Sequence, residues 1–421
     1  MNGIEMAWFD IRYAAEQVFY HLPREYGVFW WMIISAMIAT IGSGVLLFQR
    51  LARGRRERRR RALMACMLGM AAPRSASAPL STRAGRWQPE RALCILAAVI
   101  FATSLGADVR AQDPAPADLA AIGPLPRYGH AMAYDSARGR VVLFGGTEDN
   151  FSSSYFGDTW EWDGTSWTLV SSTGPAPRRY VAMAYDSARA CVVLFGGVSN
   201  VNPYYLGDTW EWDGTSWTLR STTGPAPRDE HAMAYDSARG RVVLFGGFYR
   251  DSAYHYLGET WEWDGASWTL RSNAGPKGRT GHAMAFDSAR GRTVLFGGFS
   301  APPGFGEPAV YGDTWEWDGA SWKRRTNSGP APRYGNAATY DSVRRRVVLF
   351  GGGSYRTAIP SDTWEWDGAS WTLRSLTGPS TRYQHAMACD SVRGRVVMFG
   401  GYGTYYLGDT WEWDGASWMQ R

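Results

Sequence analysis

Cysteine is scarce in this chain. Only Cys66, Cys94, Cys191 and Cys389 occur in 421 residues, and none of their spacings suits a metal site or a redox pair. Cys191 and Cys389 stand in different copies of a repeat, at positions that other copies fill with Arg and Tyr, so a disulfide between them is not expected. A chain of this length can build a core without one, so the scarcity leaves export open. Positive charge is missing where nucleic-acid binding would need it. Residues 1–111 carry 15 Lys or Arg against 7 acids, a net of +8, and residues 112–421 carry 29 against 32, a net of −3, which together give the overall +5. The pI near 9.0 therefore belongs to the N-terminal quarter, and the larger part has no electrostatic footprint for DNA or RNA. Nucleic acid is not an expected partner. A hydrophobic content of 45% also excludes wholesale disorder.

What is present is repetition. The stretch GPLPRYGHAMAYDSARGRVVLFGG, a variable loop and GDTWEWDGTSWTL, spanning 123–169, returns five more times. The second glycine of each Gly-Gly pair falls at Gly146, Gly197, Gly247, Gly298, Gly352 and Gly401, at spacings of 51, 50, 51, 54 and 49. Within a copy the alternation is that of strands. His130 to Tyr134 is small or apolar at alternate positions, Asp135 to Gly139 reads as a turn, and Val141 to Phe144 forms a second strand closed by Gly145-Gly146. Trp160 and Trp162 share a face of a third strand, Asp163-Gly164 turns, and Ser166 to Leu169 forms a fourth.

A lone four-stranded meander with three tryptophans cannot bury both faces, so the copies must stack on one another. Radial stacking of such sheets is the β-propeller. Three Trp in each of six copies account for 18 of the chain's 22, and each aromatic side chain buries roughly 150–250 Å². The expected fold is all-β: a six-bladed propeller over 123–421, with repeats at 123–173, 174–223, 224–274, 275–328, 329–377 and 378–421. With no leftover half-blade, the ring is expected to close by packing of the first blade on the last.

Arg127-Tyr-Gly-His130, the apolar run ending in Gly145-Gly146, Trp160-Glu-Trp162 and the later Trp167 together resemble the kelch repeat, in that order, over about seven tenths of the chain. The departures are local. Val181 and Asn336 replace the His, Gly278 the Pro of Pro-Arg, and Cys389 the Tyr. The resemblance implies a kelch-type propeller whose connector arginines, Arg127, Arg178, Arg228, Arg279, Arg333 and Arg382, contact a partner peptide. Bonding to loop carbonyls is the other role open to residues present in every copy.

Ahead of the repeats, one or two membrane or signal helices are expected. Residues 27–48 run 22 positions without a charge, long enough to span a bilayer, and Trp30 and Trp31 sit at one end. Eight arginines between Arg50 and Arg61 follow, which places that end in the cytoplasm and residues 1–26 outside. A second apolar stretch, 92–107, follows a basic region and precedes Val109 and Ala111, the small residues of a signal-peptidase site. Two readings stand. The segments 27–48 and 92–111 form a hairpin around a basic loop at 49–91, or translation begins near Met67 or Met70 and 92–111 is the leader. Both put the propeller outside the cytoplasmic membrane, after a Pro/Ala-rich linker at 112–122.

Function is expected on one face. The Asp-Ser-Ala-Arg-Gly and Asp-Gly-Thr-Ser turns share a face that is nearly the same in every copy, whereas the loops after Gly-Gly differ in length and content. Those loops carry Tyr155, Tyr204, Tyr205, Tyr249, Tyr355, Tyr405 and Tyr406, with Arg250, His255 and Arg356 beside them. Tyr offers large amphipathic area at low entropy cost, so the loops suit recognition of a protein or glycan; mutual packing of the same rings is the alternative. Further odd positions are Arg179 and the pair Asp229-Glu230. As neighbours on a strand the two acids would point to opposite faces, as solvated groups or partner contacts.

Catalysis has less support in the sequence. The galactose oxidase group, whose repeats these resemble, needs two His and two Tyr converging on copper. Here His130, His231, His282 and His385 are the repeat's own position, spread round the ring, with His255 in a loop. No cofactor, metal or catalytic residue is expected. Trp162 to Trp167 also resembles the sialidase Asp-box, which is a structural turn. Six similar blades supply rings of identical residues rather than an unsymmetrical constellation. The reading is an extracytoplasmic binding module; the alternatives are a propeller-type carbohydrate-active enzyme or oxidase, and a repeat protein with no dedicated ligand.

Overall fold

The computed structural model describes residues 123–149, 155–301, 308–354 and 361–421. The expected segments at 1–26, 27–48, 49–91, 92–111 and 112–122 lie outside the described residues. Among the described residues no helix is long and apolar enough to cross a membrane.

Blade one shows the pattern. Strands β1 (Ala131–Asp135), β2 (Arg140–Phe144), β3 (Thr159–Trp162) and β4 (Trp167–Ser171) form one antiparallel sheet in chain order. Its register pairs Ala133 with Val142 and Val142 with Glu161. Five further four-stranded sheets repeat this order, which makes a six-bladed propeller. β2 is buried on both faces because each sheet is sandwiched between two others: Val142, Leu143 and Phe144 have no exposure. An apolar cluster fills every interface between neighbouring blades. Alternation divides the innermost strand between two of them. Ala131 and Ala133 meet blade two, and Met132 meets Ala386 and Ala388 of blade six.

Among the described residues the ring closes with no strand exchanged between its ends. Val141, Leu143 and Trp162 of blade one pack with Val397 and Phe399 of blade six. The N–H of Arg127 donates to the carbonyl of Leu407 at 3.0 Å, and that of Gly401 to the carbonyl of Arg127 at 2.8 Å. The indole of Trp167 donates to Thr410 Oγ1 at 2.8 Å, the same bond that Trp217 makes to Thr159 at an ordinary interface. Closure thus reuses the contacts of every other seam.

The near-identity of the turn face has a physical cause. Asp135 Oδ1 accepts from the N–H groups of Ala137 and Arg138, and Oδ2 from Arg138 Nε at 2.7 Å. Arg138 Nη2 then reaches Glu161 at 2.6 Å, whose Oε1 also accepts from Trp212 of blade two at 3.3 Å. The arginine side chain fills the space where a Cβ on Gly214 would sit, 2.5 Å from its Nε, and Gly214 has a φ of 98°, which L side chains rarely adopt. Turn, strand and neighbour are fixed by one network.

Blade five departs from this regularity. Asn336 stands where four copies have His, and Ala338 where five have Met. The cluster between blades four and five shrinks to Ala285, Val294, Val347 and Trp366, and both side-chain atoms of Asn336 are buried without a partner. A tube of about 350 Å³ follows the axis, lined by the innermost strands, and Ala338 and Thr339 border it at this seam.

Candidate functional site

The propeller axis is closed on the variable-loop face by a ring of backbone. Gly129, Tyr180, Glu230, Gly281, Gly335 and Gln384 occupy equivalent places just before the innermost strands. Each donates its N–H to the carbonyl of the ring residue in the preceding blade, at 2.6–3.0 Å, and Gly129 completes the circle by donating to Gln384. All six are left-handed, with φ between 48° and 66°. That conformation suits the three glycines and strains Tyr180, Glu230 and Gln384, a device often kept for functional places.

Side chains fill the ring unequally. Glu230 belongs to blade three and Gln384 to blade six, which face each other across the axis. Gln384 Nε2 donates to Glu230 Oε1 at 2.7 Å, and Thr280 Oγ1 donates to Oε2 at 2.9 Å. Glu230 thus forms a bar across the opening. Burial raises its pKa, against the opposing hydrogen bonds of Thr280 and Gln384 and the charge of Arg179.

One position earlier the six residues are Tyr128, Arg179, Asp229, Thr280, Tyr334 and Tyr383. Each forms a bridge with the residue after its blade's Gly-Gly pair. Half of this circle is aromatic and half is polar. Arg179 lies among rings, 4.8 Å from the centroid of Tyr180, 5.0 Å from Tyr155 and 5.7 Å from Tyr128, and donates to Tyr128 Oη at 2.6 Å. Its Nε is buried and unbonded, as is Asp229 Oδ1. Asp229 is 7% exposed. Burial and then the adjacent Glu230 push its pKa well above the usual carboxylate range, with Arg179 opposing.

An aromatic circuit surrounds this centre. From Tyr205 it runs through Phe248, Tyr256, Phe299, Tyr334, Tyr383, Tyr402 and Tyr128 to Tyr180, with successive centroids 4.9–6.4 Å apart. The circuit passes through every blade and ends at blade two, where Arg179 stands.

The residues singled out in the sequence therefore divide into groups. Arg179, Asp229, Glu230, Tyr155, Tyr205 and Tyr406 converge on the axis, Tyr406 stacking on Tyr128 at 5.7 Å. Tyr249, Arg250 and His255 lie on a hairpin of Phe248–Arg250 with Tyr254–Tyr256. There Tyr249 stacks on His255 at 4.3 Å, His255 lies 3.0 Å from Asp251, and Arg250 sits over Tyr254. Tyr204 and Tyr405 are outward rim residues, 39% and 75% exposed. Tyr355 and Arg356 lie outside the described residues.

Two expectations need correction, and of the two roles left open for the connector arginines the bonding to loop carbonyls is the one observed. Asp229 and Glu230 do not alternate as on a strand, because Glu230 is left-handed, and Asp229 is buried and Glu230 half-buried rather than solvated. The connector arginines are fully buried in the blade framework: Arg127 donates to the carbonyls of Leu125 and Gly145 and grips Asp158 at 2.7 and 2.9 Å. Their hydrogen bonds are spent internally. The sameness of the copies also fails at the axis, where Tyr128, Tyr180, Thr280 and Gln384 join the odd positions. The column Tyr-Gly, Arg-Tyr, Asp-Glu, Thr-Gly, Tyr-Gly, Tyr-Gln before the His position carried that signal.

No protein-family model matches this chain, and no curated protein matches it. Among solved structures the chain is similar to that of YjhT. The TM-score is 0.55 at 14% identity, covering 71% of this chain and 99% of that one. The likeness is one of fold. It extends over the six-bladed propeller.

Proposed function

We propose that this chain is a kelch-type propeller that binds a protein or glycan at the axial mouth of its variable-loop face, outside the cytoplasmic membrane. One observation carries the reading. The blades agree at most positions that hold the fold, blade five being the main exception, and differ in the circle Tyr128, Arg179, Asp229, Thr280, Tyr334 and Tyr383 that rims the axis. Loops and strand ends on a rigid scaffold are where recognition concentrates. The apolar segments at 27–48 and 92–107 and the arginines between them support the placement, by anchor or by export.

The test is binding by the full chain, in detergent, to arrayed glycans and to envelope proteins, compared with Tyr383→Ser/Tyr406→Ser at the axial mouth. Saturable binding that the rim substitutions weaken, with tryptophan fluorescence unchanged, is the expected result. Binding that ignores them, or no binding, removes the module reading.

The adjacent carboxylates favour a second reading. Asp229 and Glu230, both raised in pKa beside Arg179 and several tyrosines, are the kind of titratable pair that acid–base chemistry on a sugar requires. A bound glycan returned chemically altered would select it.

A further inference from the structure

Two of the connectors between blades break the habit of the repeat. Directly after the fourth strand, blades one to four carry Ser172, Thr222, Asn273 and Asn327, whereas blade five carries Leu376, which is 69% exposed. Two residues before the connector arginine the other copies have Ala176, Ala226, Lys277, Ala331 and Ser380. Blade one has Leu125, 44% exposed.

These two connectors flank the loop of blade six. A Cβ on Gly403 would lie 2.5 Å from the carbonyl oxygen of Thr381, and one on Gly408 3.0 Å from Pro126, so the loop is seated between them. Within it Tyr402 and Tyr406 pack on Tyr128 and on each other, while Tyr405 points outward and is exposed. Residues 123–126, 375–381 and 401–408 include no charged side chain. Single apolar residues on a surface are ordinary, but here three stand on adjoining segments, two of them against the pattern of the repeat.

The course of the chain names the occupant. Residues 1–122, with the apolar stretches 27–48 and 92–107, enter the propeller at Gly123, two residues before Leu125. The linker 112–122 reaches at most roughly 36–40 Å when extended. Anchorage through 92–107 therefore keeps this edge near the bilayer. Tyr rings settle at headgroup level, and apolar contacts too few to hold a membrane alone become effective once a tether raises their local concentration. An uncharged surface also enters that region without stranding an ion.

Resting on the extracytoplasmic placement proposed above, we propose that the blade-six sector of the variable-loop face docks on the lipid surface, Leu376, Tyr405 and Leu125 entering the headgroup region. Blade three, opposite, is then the side turned to solvent. Its hairpin bears the charged Arg250 and Asp251.

The test is a nitroxide on the full chain in vesicles of phosphatidylethanolamine and phosphatidylglycerol, placed at Leu376→Cys, at Tyr405→Cys, or at Asn273→Cys, the counterpart of Leu376 in blade three. Cys66→Ser/Cys94→Ser removes the N-terminal thiols. Cys191 and Cys389 are buried, and burial pushes their thiols up to about 12, so they stay unlabelled. Labels at 376 and 405 should collide more with oxygen than with an aqueous nickel chelate, and the label at 273 the reverse. Adding Leu125→Ala/Leu376→Asn, residues that other copies hold at these places, should raise chelate access to the label at 405 severalfold.

Vesicle flotation separates the failures. A chain that floats while its labels at 376 and 405 stay open to the chelate would overturn the docking and leave the placement standing. Labels closed to both reagents would mean that protein rather than lipid covers the sector, and would overturn it as well. A chain that does not float would remove placement and docking together.

Discussion

Gln384 Nε2 and Glu230 Oε1 lie 2.7 Å apart, although 154 residues separate them in the chain. The bond joins opposite blades across the axis and holds a carboxylate whose pKa burial has raised. Its value comes from what its loss would leave behind. A buried carboxylate deprived of one donor costs roughly 1–3 kcal/mol.

Gln384→Leu should therefore destabilise the propeller by about 1–3 kcal/mol in denaturant unfolding, with the slope unchanged. Glu230→Leu/Gln384→Leu should recover part of the loss, because no carboxylate is then left short of a donor, and Thr280 Oγ1 keeps its longer contact to the carbonyl of residue 230, at 3.4 Å. If the double substitution is worse than the single one by the full cost of each, the bond is not a coupled pair.

The connector arginines predict a larger effect. Arg382 has no exposure and grips Asp409 through both of its terminal nitrogens, at 2.6 and 2.8 Å. Asp409→Ala would strand a buried cation and should cost about 3 kcal/mol. In blade three Arg228 meets Glu259 through one nitrogen, at 2.9 Å, and Glu259 is the more exposed partner, 32% against 21%. Glu259→Ala should cost less. Calorimetric melting of the two variants decides the order.

The seam between blades four and five should accept improvement. Ala338 leaves out the Met that five other blades place there, and residues 337–340 are half-exposed where their counterparts are mostly buried. Ala338→Met restores a buried apolar side chain worth about 1 kcal/mol once ordering entropy is deducted. A rise in melting temperature of about 2 °C is expected for a domain of this size. A fall would mean that the seam has collapsed around the smaller residue.

Acid should unfold the protein before base does. Burial holds His130 and His282 down to about 3, and His231 and His385 also well below the ordinary imidazole value. Between about 3 and the unfolded value near 6.5, the unfolded chain binds protons that the folded one refuses, so stability declines as pH falls through that window. Asp158 and Asp208, whose pKa values lie below normal despite burial, because of their Arg hydrogen bonds, lose stability in the same direction at lower pH. Asp229 and Glu230, raised by burial, act oppositely. His282→Val copies what blade two already has at Val181 and should flatten the acid-side slope of melting temperature against pH. An unchanged slope would show that His282 titrates normally.

Much of the fold is legible in the text of the repeat. Alternation in His130 to Tyr134, the apolar run Val141 to Phe144 and the Trp-Glu-Trp strand give strand positions, and six copies give the blade count. Local pattern suffices because each blade is one continuous segment whose neighbours are also its neighbours in sequence. The packing of the first blade on the last was legible as an expectation, which the contacts of Val141 and Leu143 with Val397 and Phe399 bear out. The roles of Arg127 and its counterparts were not. A residue repeated six times reads equally as ligand contact or framework until the position of Asp158 is known.

The sequence by itself determined the period, the strands and the faces, because these depend on contacts within a copy or between adjacent copies. Only the tertiary structure decided which odd residues meet. Arg179, Asp229 and Glu230 are separated from Tyr383, Gln384 and Tyr406 by more than 150 residues, and the ring brings all six to one mouth. Their convergence depends on closure: in a circle the first and last blades become neighbours and the third faces the sixth, a relation that sequence spacing does not contain.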